Sequence, residues 1–147
     1  MTMGYREDNV FARILRGELP AHKVFEDDHT LAFMDIMPQV DGHTLVIPKY
    51  PAVDLFDLPR DLLSATLATV QTVARAVQSA FAAEGIMLAQ LSGAAAGQTV
   101  FHVHFHILPR HEGADFRMHA RDMAPGARLA EHAARVRAAL AGVAANG

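Results

Sequence analysis

Within residues 99–108, His102, His104 and His106 alternate with Val103, Phe105 and Ile107. Side chains of an extended chain leave alternate faces, so this run predicts a strand with three imidazoles on one face and three apolar residues on the other. The fold must therefore put a core behind this strand and leave its histidine face for another purpose. Three neutral imidazoles in a row cost desolvation and pack no better than valine, so stability does not account for them. With 9 histidines in 147 residues, a chance His-x-His-x-His has odds of about 1 in 30.

Two chemistries compete for such a face. Imidazole ligates zinc, copper and iron, and alternate strand positions converge on one side, so His102, His104 and His106 could hold a metal. Alternatively one imidazole attacks phosphorus while its neighbours orient it and carry protons. The second is favoured by context, because the strand is preceded by a loop of small residues, 92–97, followed by Gln98 and Thr99. Such a loop is suited to offering backbone N–H groups to an anion.

The remaining chain supplies the frame. Asp8 and Asn9 can cap a short helix carrying Val10, Phe11, Ile14 and Leu15, which Gly17 and Pro20 stop. Strands are expected over 22–26, 30–35 and 43–48, with turns at 27–29 and around Pro38 and Asp41-Gly42. Pro59 suits the first turn of a long helix and Gly85 its exit. Leu63, Leu67, Val70, Ala74, Val77 and Phe81 would form its apolar stripe. A strand over 86–91 and the histidine strand over 99–108, ended by Pro109, complete the sheet, and 127–140 reads as a final helix. These elements predict an α+β fold: an antiparallel sheet of about five strands, one long helix and shorter terminal helices.

Composition narrows the function. A net charge of −3 argues against a nucleic-acid partner, and the absence of cysteine excludes disulfides, thiolate metal sites and a cysteine nucleophile. The polar N-terminus lacks the apolar core of a signal peptide, and no apolar run approaches the ~20 residues of a membrane helix. A single domain over 1–147 acting in the cytoplasm, away from membranes, is the expectation.

The stretch AGQTVFHVHFHILPR, 96–110, resembles the signature of the histidine triad (HIT) family, His-φ-His-φ-His-φ-φ with φ apolar. VFARILRGELPAHKVFEDDHTLAFMDIMPQVDGHTLVIPK, 10–49, is similar to the family in order and spacing. The resemblance covers a core of 9–110 and leaves a C-terminal extension with a helix, 111–147. It implies a nucleotide hydrolase or transferase that cleaves the α-phosphate bond of nucleoside monophosphate derivatives, phosphoramidates or dinucleoside polyphosphates. His104 would be the nucleophile, forming a transient nucleotidyl-histidine, with His102 and His106 beside it and His43 as a further histidine of the site. Asp35 would accept the ribose hydroxyls, and Phe11, Ile14 and Ile36 would wall the purine base. Gly97, Gln98 and Thr99 would meet the phosphate and leaving group. No cofactor is implied, and family members are generally homodimers joined through the long helix and adjoining strand. A metal-binding protein, or a nucleotide-binding protein with negligible turnover, are the alternatives.

Two positions depart from the family. Many bacterial members carry a Cys-x-x-Cys that helps bind structural zinc; Asn9 and Ala12 stand at those places and cannot supply thiolates, so no zinc is expected. Leu91-Ser92 occupies a stretch that often holds an asparagine. The other histidines, His22, His29, His111, His119 and His132, are expected to face solvent.

Overall fold

The computed structural model describes residues 4–114 and 122–146. Elements run α1 (Val10–Leu15), β1 (Lys23–Glu26), β2 (Thr30–Met34), β3 (Thr44–Pro48), α2 (Arg60–Ala80), β4 (Gly85–Gln90), β5 (Phe105–Arg110) and α3 (Gly126–Asn146). The five strands form one antiparallel sheet in the order β1-β2-β3-β5-β4. The α+β class and the five-stranded antiparallel sheet expected from the sequence are what the chain adopts.

Strand alternation divides the sheet into two faces. Ala32, Met34, Val46, Phe105 and Ile107 enter the larger core, beneath α2 and α3 with Val70, Val73, Val77, Leu129 and Val136. Leu31, Phe33, Leu45 and Ile47 point the other way and are covered by Phe11 and Ile14 of α1. Burying each such side chain contributes about 1.5–3 kcal/mol. Asn9 starts α1 by accepting the Ala12 N–H on its side-chain oxygen, at 2.9 Å.

Several elements differ from expectation. The histidine strand begins at Phe105 rather than residue 99, because both neighbours stop there: Val46 of β3 and Gln90 of β4 each pair with Phe105 and neither ladder goes further. At its other end β5 runs through Pro109 to Arg110. Beyond Ile107 it pairs with β4 alone, and a proline is tolerated in a strand that has an open side.

On α2 the buried line is Thr66, Thr69, Val70, Val73, Ala76 and Val77, while Leu67 is 40% exposed. The threonines are admitted because their hydroxyls have partners. Thr66 donates to Leu62 O at 2.7 Å, and Thr69 lies 2.8 Å from Thr30 Oγ1 at the foot of β2.

The exit from α2 is Ala82, at φ +48°, three residues before Gly85, which opens β4 instead. Finally α3, at 21 residues, is as long as α2 rather than a shorter terminal helix. It folds back along α2 and β1, which buries His132 edge-on against Phe81, with ring centroids 5.1 Å apart. His132 therefore does not face solvent. His29 and His111 are exposed, His22 is half-buried, and His119 lies outside the described residues.

Candidate functional site

Antiparallel register assembles the site on the α1 face of the sheet. Phe33 pairs with Leu45 and Leu45 with His106, and the Asp35 N–H donates to His43 O at 3.0 Å just beyond the β2–β3 ladder. Asp35, His43 and His106 thus leave the sheet side by side on one face. Gly42, at φ +91°, turns the chain into His43; a Cβ there would stand 2.7 Å from the Phe81 ring and 3.0 Å from Pro109.

Hydrogen bonds fix the tautomers. The Gln39 N–H donates to His43 Nδ1 at 3.1 Å, so the His43 proton is on Nε2, which donates to His106 Nδ1 at 2.9 Å. His106 then carries its own proton on Nε2. Asp35 Oδ2 lies 3.4 Å from His43 Nε2, and Asp35 Oδ1 accepts the Met37 N–H at 2.8 Å. His104 donates from Nδ1 to the His102 carbonyl at 2.7 Å, which leaves the Nε2 lone pair available. Its ring meets Phe11 edge-on at 5.0 Å and His106 at 4.9 Å.

Burial sets the protonation states. Desolvation is the largest influence on every histidine of the site. It takes His43 down to about 3, helped by His106 and His104, and His102 and His106 down to about 4. It also lowers His104, against the bond to the His102 carbonyl. The same burial pushes the Asp35 carboxyl up to about 6. At neutral pH the site is a set of neutral imidazoles beside one carboxylate. A neutral imidazole with a free, oriented Nε2 can act as a nucleophile, and an adjacent Nε2–H can donate to a developing negative charge.

The structure places the other sequence-predicted residues variously. Phe11 and Ile14 are core residues of the α1 face, and Phe11 also touches His104. Ile36 is 46% exposed on the loop after β2. Gln98 is buried with both ends of its amide engaged. Nε2–H donates to Val53 O and Val100 O, at 2.6 and 3.1 Å, and Oε1 accepts the Gly93 N–H at 2.8 Å.

Within the small-residue loop the N–H groups of Ala96, Gly97 and Gln98 also close on loop carbonyls. Gly97 turns the chain at φ +104°, and Thr99 stands exposed beyond it. Ser92 accepts the Leu55 N–H at 3.2 Å and pairs with the Gln90 amide, so its hydroxyl ties two loops together.

Tyr5 was not singled out by sequence. Its hydroxyl donates to His102 Nδ1 at 2.7 Å, and an aromatic residue in a polar N-terminal stretch carries no pattern that announces such a contact.

Metal ligation by His102, His104 and His106 is not what the geometry favours. Both His102 nitrogens are engaged, Nε2–H donating to Pro48 O at 2.8 Å, and His104 Nδ1 is bonded to a carbonyl. Among the described residues, the group whose ligand atoms converge is Asp35, His43 and His106, all within 4.8 Å of one another. There the Gln39 N–H keeps the proton on the very nitrogen of His43 that would face an ion.

The HIT domain matches residues 16–113, two thirds of the chain, spanning β1 to β5 and all three histidines. The chain belongs to the HIT family. A Hit-like protein involved in cell-cycle regulation from Bartonella henselae is 46% identical, covering 92% of this chain and 99% of its own, with a TM-score of 0.87. A zinc-bound histidine triad family protein from Mycobacterium smegmatis is 38% identical over 95% of this chain and 98% of its own, with a TM-score of 0.85. The adenylylsulfatase HINT3 of Arabidopsis thaliana is 39% identical over 107 residues, 73% of this chain and 54% of its own length. This HIT protein thus shares both sequence and fold with proteins of the triad. Among its described residues no helix is long and apolar enough to cross a membrane.

Proposed function

We propose that this HIT protein is a nucleotide hydrolase that cleaves nucleoside monophosphate derivatives, phosphoramidates or dinucleoside polyphosphates, at the α-phosphorus through a covalent nucleotidyl-His104. The observation that carries the reading is the orientation of His104: neutral, held through Nδ1, with Nε2 free. In the first step Nε2 attacks phosphorus and the bond to the leaving group breaks; the leaving group departs with the electron pair and, where it is an amine, takes up a proton delivered from solvent. Water then attacks the nucleotidyl-histidine, giving the nucleoside monophosphate and restoring neutral His104.

His106 Nε2–H supports charge on the phosphoryl oxygens, held by the chain Gln39 N–H, His43, His106. Asp35 receives the ribose hydroxyls, while Phe11, Ile14 and Ile36 border a purine base. Thr99 meets the phosphate side, with Gly97 and Gln98 acting through the loop they shape, the Gly97 N–H being closed on Ala94 O. His102 holds the backbone to which His104 is bonded. An adenylylsulfatase among the relatives supports a leaving group that departs from the phosphorus of a nucleoside monophosphate. The protein acts in the cytoplasm as one domain with a C-terminal extension and pairs as a homodimer through α2 and β4. Exposed Leu67 and Leu88 support that pairing, and a solution mass of one chain would contradict it.

The test is hydrolysis of adenosine 5′-phosphoramidate and of a diadenosine polyphosphate by wild type and His104→Ala, with and without chelator. Chelator-resistant release of AMP that the substitution abolishes is expected. Turnover that survives His104→Ala, or dies with the chelator, refutes the reading.

A further inference from the structure

His102 precedes β5, so no ladder holds it. Its place is set by three bonds. The Val103 N–H donates to Ala52 O at 2.9 Å, His102 Nε2–H donates to Pro48 O at 2.8 Å, and the Tyr5 hydroxyl donates to His102 Nδ1 at 2.7 Å. A carbonyl only accepts, so a neutral His102 carries its proton on Nε2 and presents an acceptor at Nδ1. The half-buried Tyr5 ring meets the imidazole edge-on at 5.6 Å, and Phe11 flanks it at 6.4 Å. The His102 carbonyl in turn receives the Nδ1–H of His104. One continuous path therefore runs from the Tyr5 hydroxyl through the His102 ring and backbone to the ring of His104.

Structural zinc does not fit here. The Asn9 side chain is engaged at both ends, donating to Arg6 O at 2.7 Å and accepting the Ala12 N–H. Ala12 has no donor atom, and neutral His102 keeps no free lone pair. The Mycobacterium smegmatis relative is zinc-bound; in this chain the donors around Asn9, Ala12 and His102 are closed by hydrogen bonds.

We propose that Tyr5 is a positioning residue that clamps the histidine segment without metal, fixing the tautomer and pose of His102 and, through its carbonyl, the aim of His104. The kinetic consequence rests on the reading of His104 as the reacting group; the clamp itself does not.

The test compares wild type with Tyr5→Phe, which keeps the ring and removes the hydroxyl. Proton–nitrogen correlation of the histidine rings at neutral pH is read beside metal content and steady-state kinetics on adenosine 5′-phosphoramidate. The His102 Nδ1 resonance should move toward that of an unbonded acceptor nitrogen. Losing one bond to a buried acceptor should lower kcat about tenfold with KM nearly unchanged. Neither protein should hold stoichiometric zinc. An unmoved Nδ1 resonance, an unmoved kcat or stoichiometric zinc in the wild type overturns the proposal. Should the wild type turn over nothing, the hydrolase reading fails and the Nδ1 resonance alone decides the clamp. If Tyr5→Phe does not fold, the wild type decides. A Tyr5 hydroxyl proton correlated with His102 Nδ1 supports the clamp, and its absence refutes it.

Discussion

Asp35 is the one charged group among the neutral rings of the site, and its burial makes that charge sensitive to mild acid. With its pKa raised to about 6, the carboxyl is ionised at neutral pH and takes up a proton as the pH falls through that value. Its proposed hydrogen bonds to ribose would weaken over the same range. KM for a ribonucleotide substrate is therefore expected to rise below about pH 6. His104, lowered by burial, stays neutral there, so kcat should hold to a lower pH than an ordinary imidazole allows. Asp35→Asn should raise KM roughly tenfold or more, the scale of a lost charge-assisted hydrogen bond, and remove that acid dependence. Steady-state kinetics across pH on both proteins checks this; an unchanged KM in Asp35→Asn would remove Asp35 from ribose binding.

At the scale of elements, two positive-φ residues, one leading into His43 and one ending α2, point in opposite directions. Gly42 precedes His43 at φ +91°, against Phe81 and Pro109. Gly42→Ala combines left-handed strain with a close contact and should lower stability by about 2–4 kcal/mol. Ala82 ends α2 at φ +48°, a place where glycine is favoured, and Ala82→Gly should raise stability by about 0.5–1 kcal/mol. Denaturant unfolding of the two variants checks both signs.

What was legible in the sequence follows from the same physics. The alternation of His102–Ile107 placed Val103, Phe105 and Ile107 in the core correctly, because local geometry alone sets that pattern. It could not locate the start of β5, which depends on where β3 and β4 stop. The α2 stripe shifted because Thr66 and Thr69 find hydroxyl partners, one of them on a strand far away in sequence. Tyr5 reaches His102 across 97 residues, a contact no local pattern encodes.

For the whole molecule, the buried histidines set a collective response to acid. An unfolded imidazole titrates near 6.5, whereas His102 and His106 are held down to about 4 and His43 to about 3. Below about pH 6.5 the unfolded chain binds protons that the native one refuses, so their contribution to stability is present above that pH. It is lost as the pH falls toward the native values. Asp35 opposes this, since the native state takes up its proton first, but it is one group against several. Thermal unfolding followed by circular dichroism should show Tm falling on the order of 10 °C between pH 7 and pH 5. A flat Tm would mean that the rings are not held neutral.

The central claim is that His104 itself carries the nucleotide during turnover. Rapid quenching of the reaction with a labelled phosphoramidate, followed by mass analysis of the peptide containing His102–His106, tests it most directly. The account predicts one nucleotidyl group on His104 during turnover and none in His104→Ala. Turnover with no modified peptide, or with the group on another residue, would contradict it.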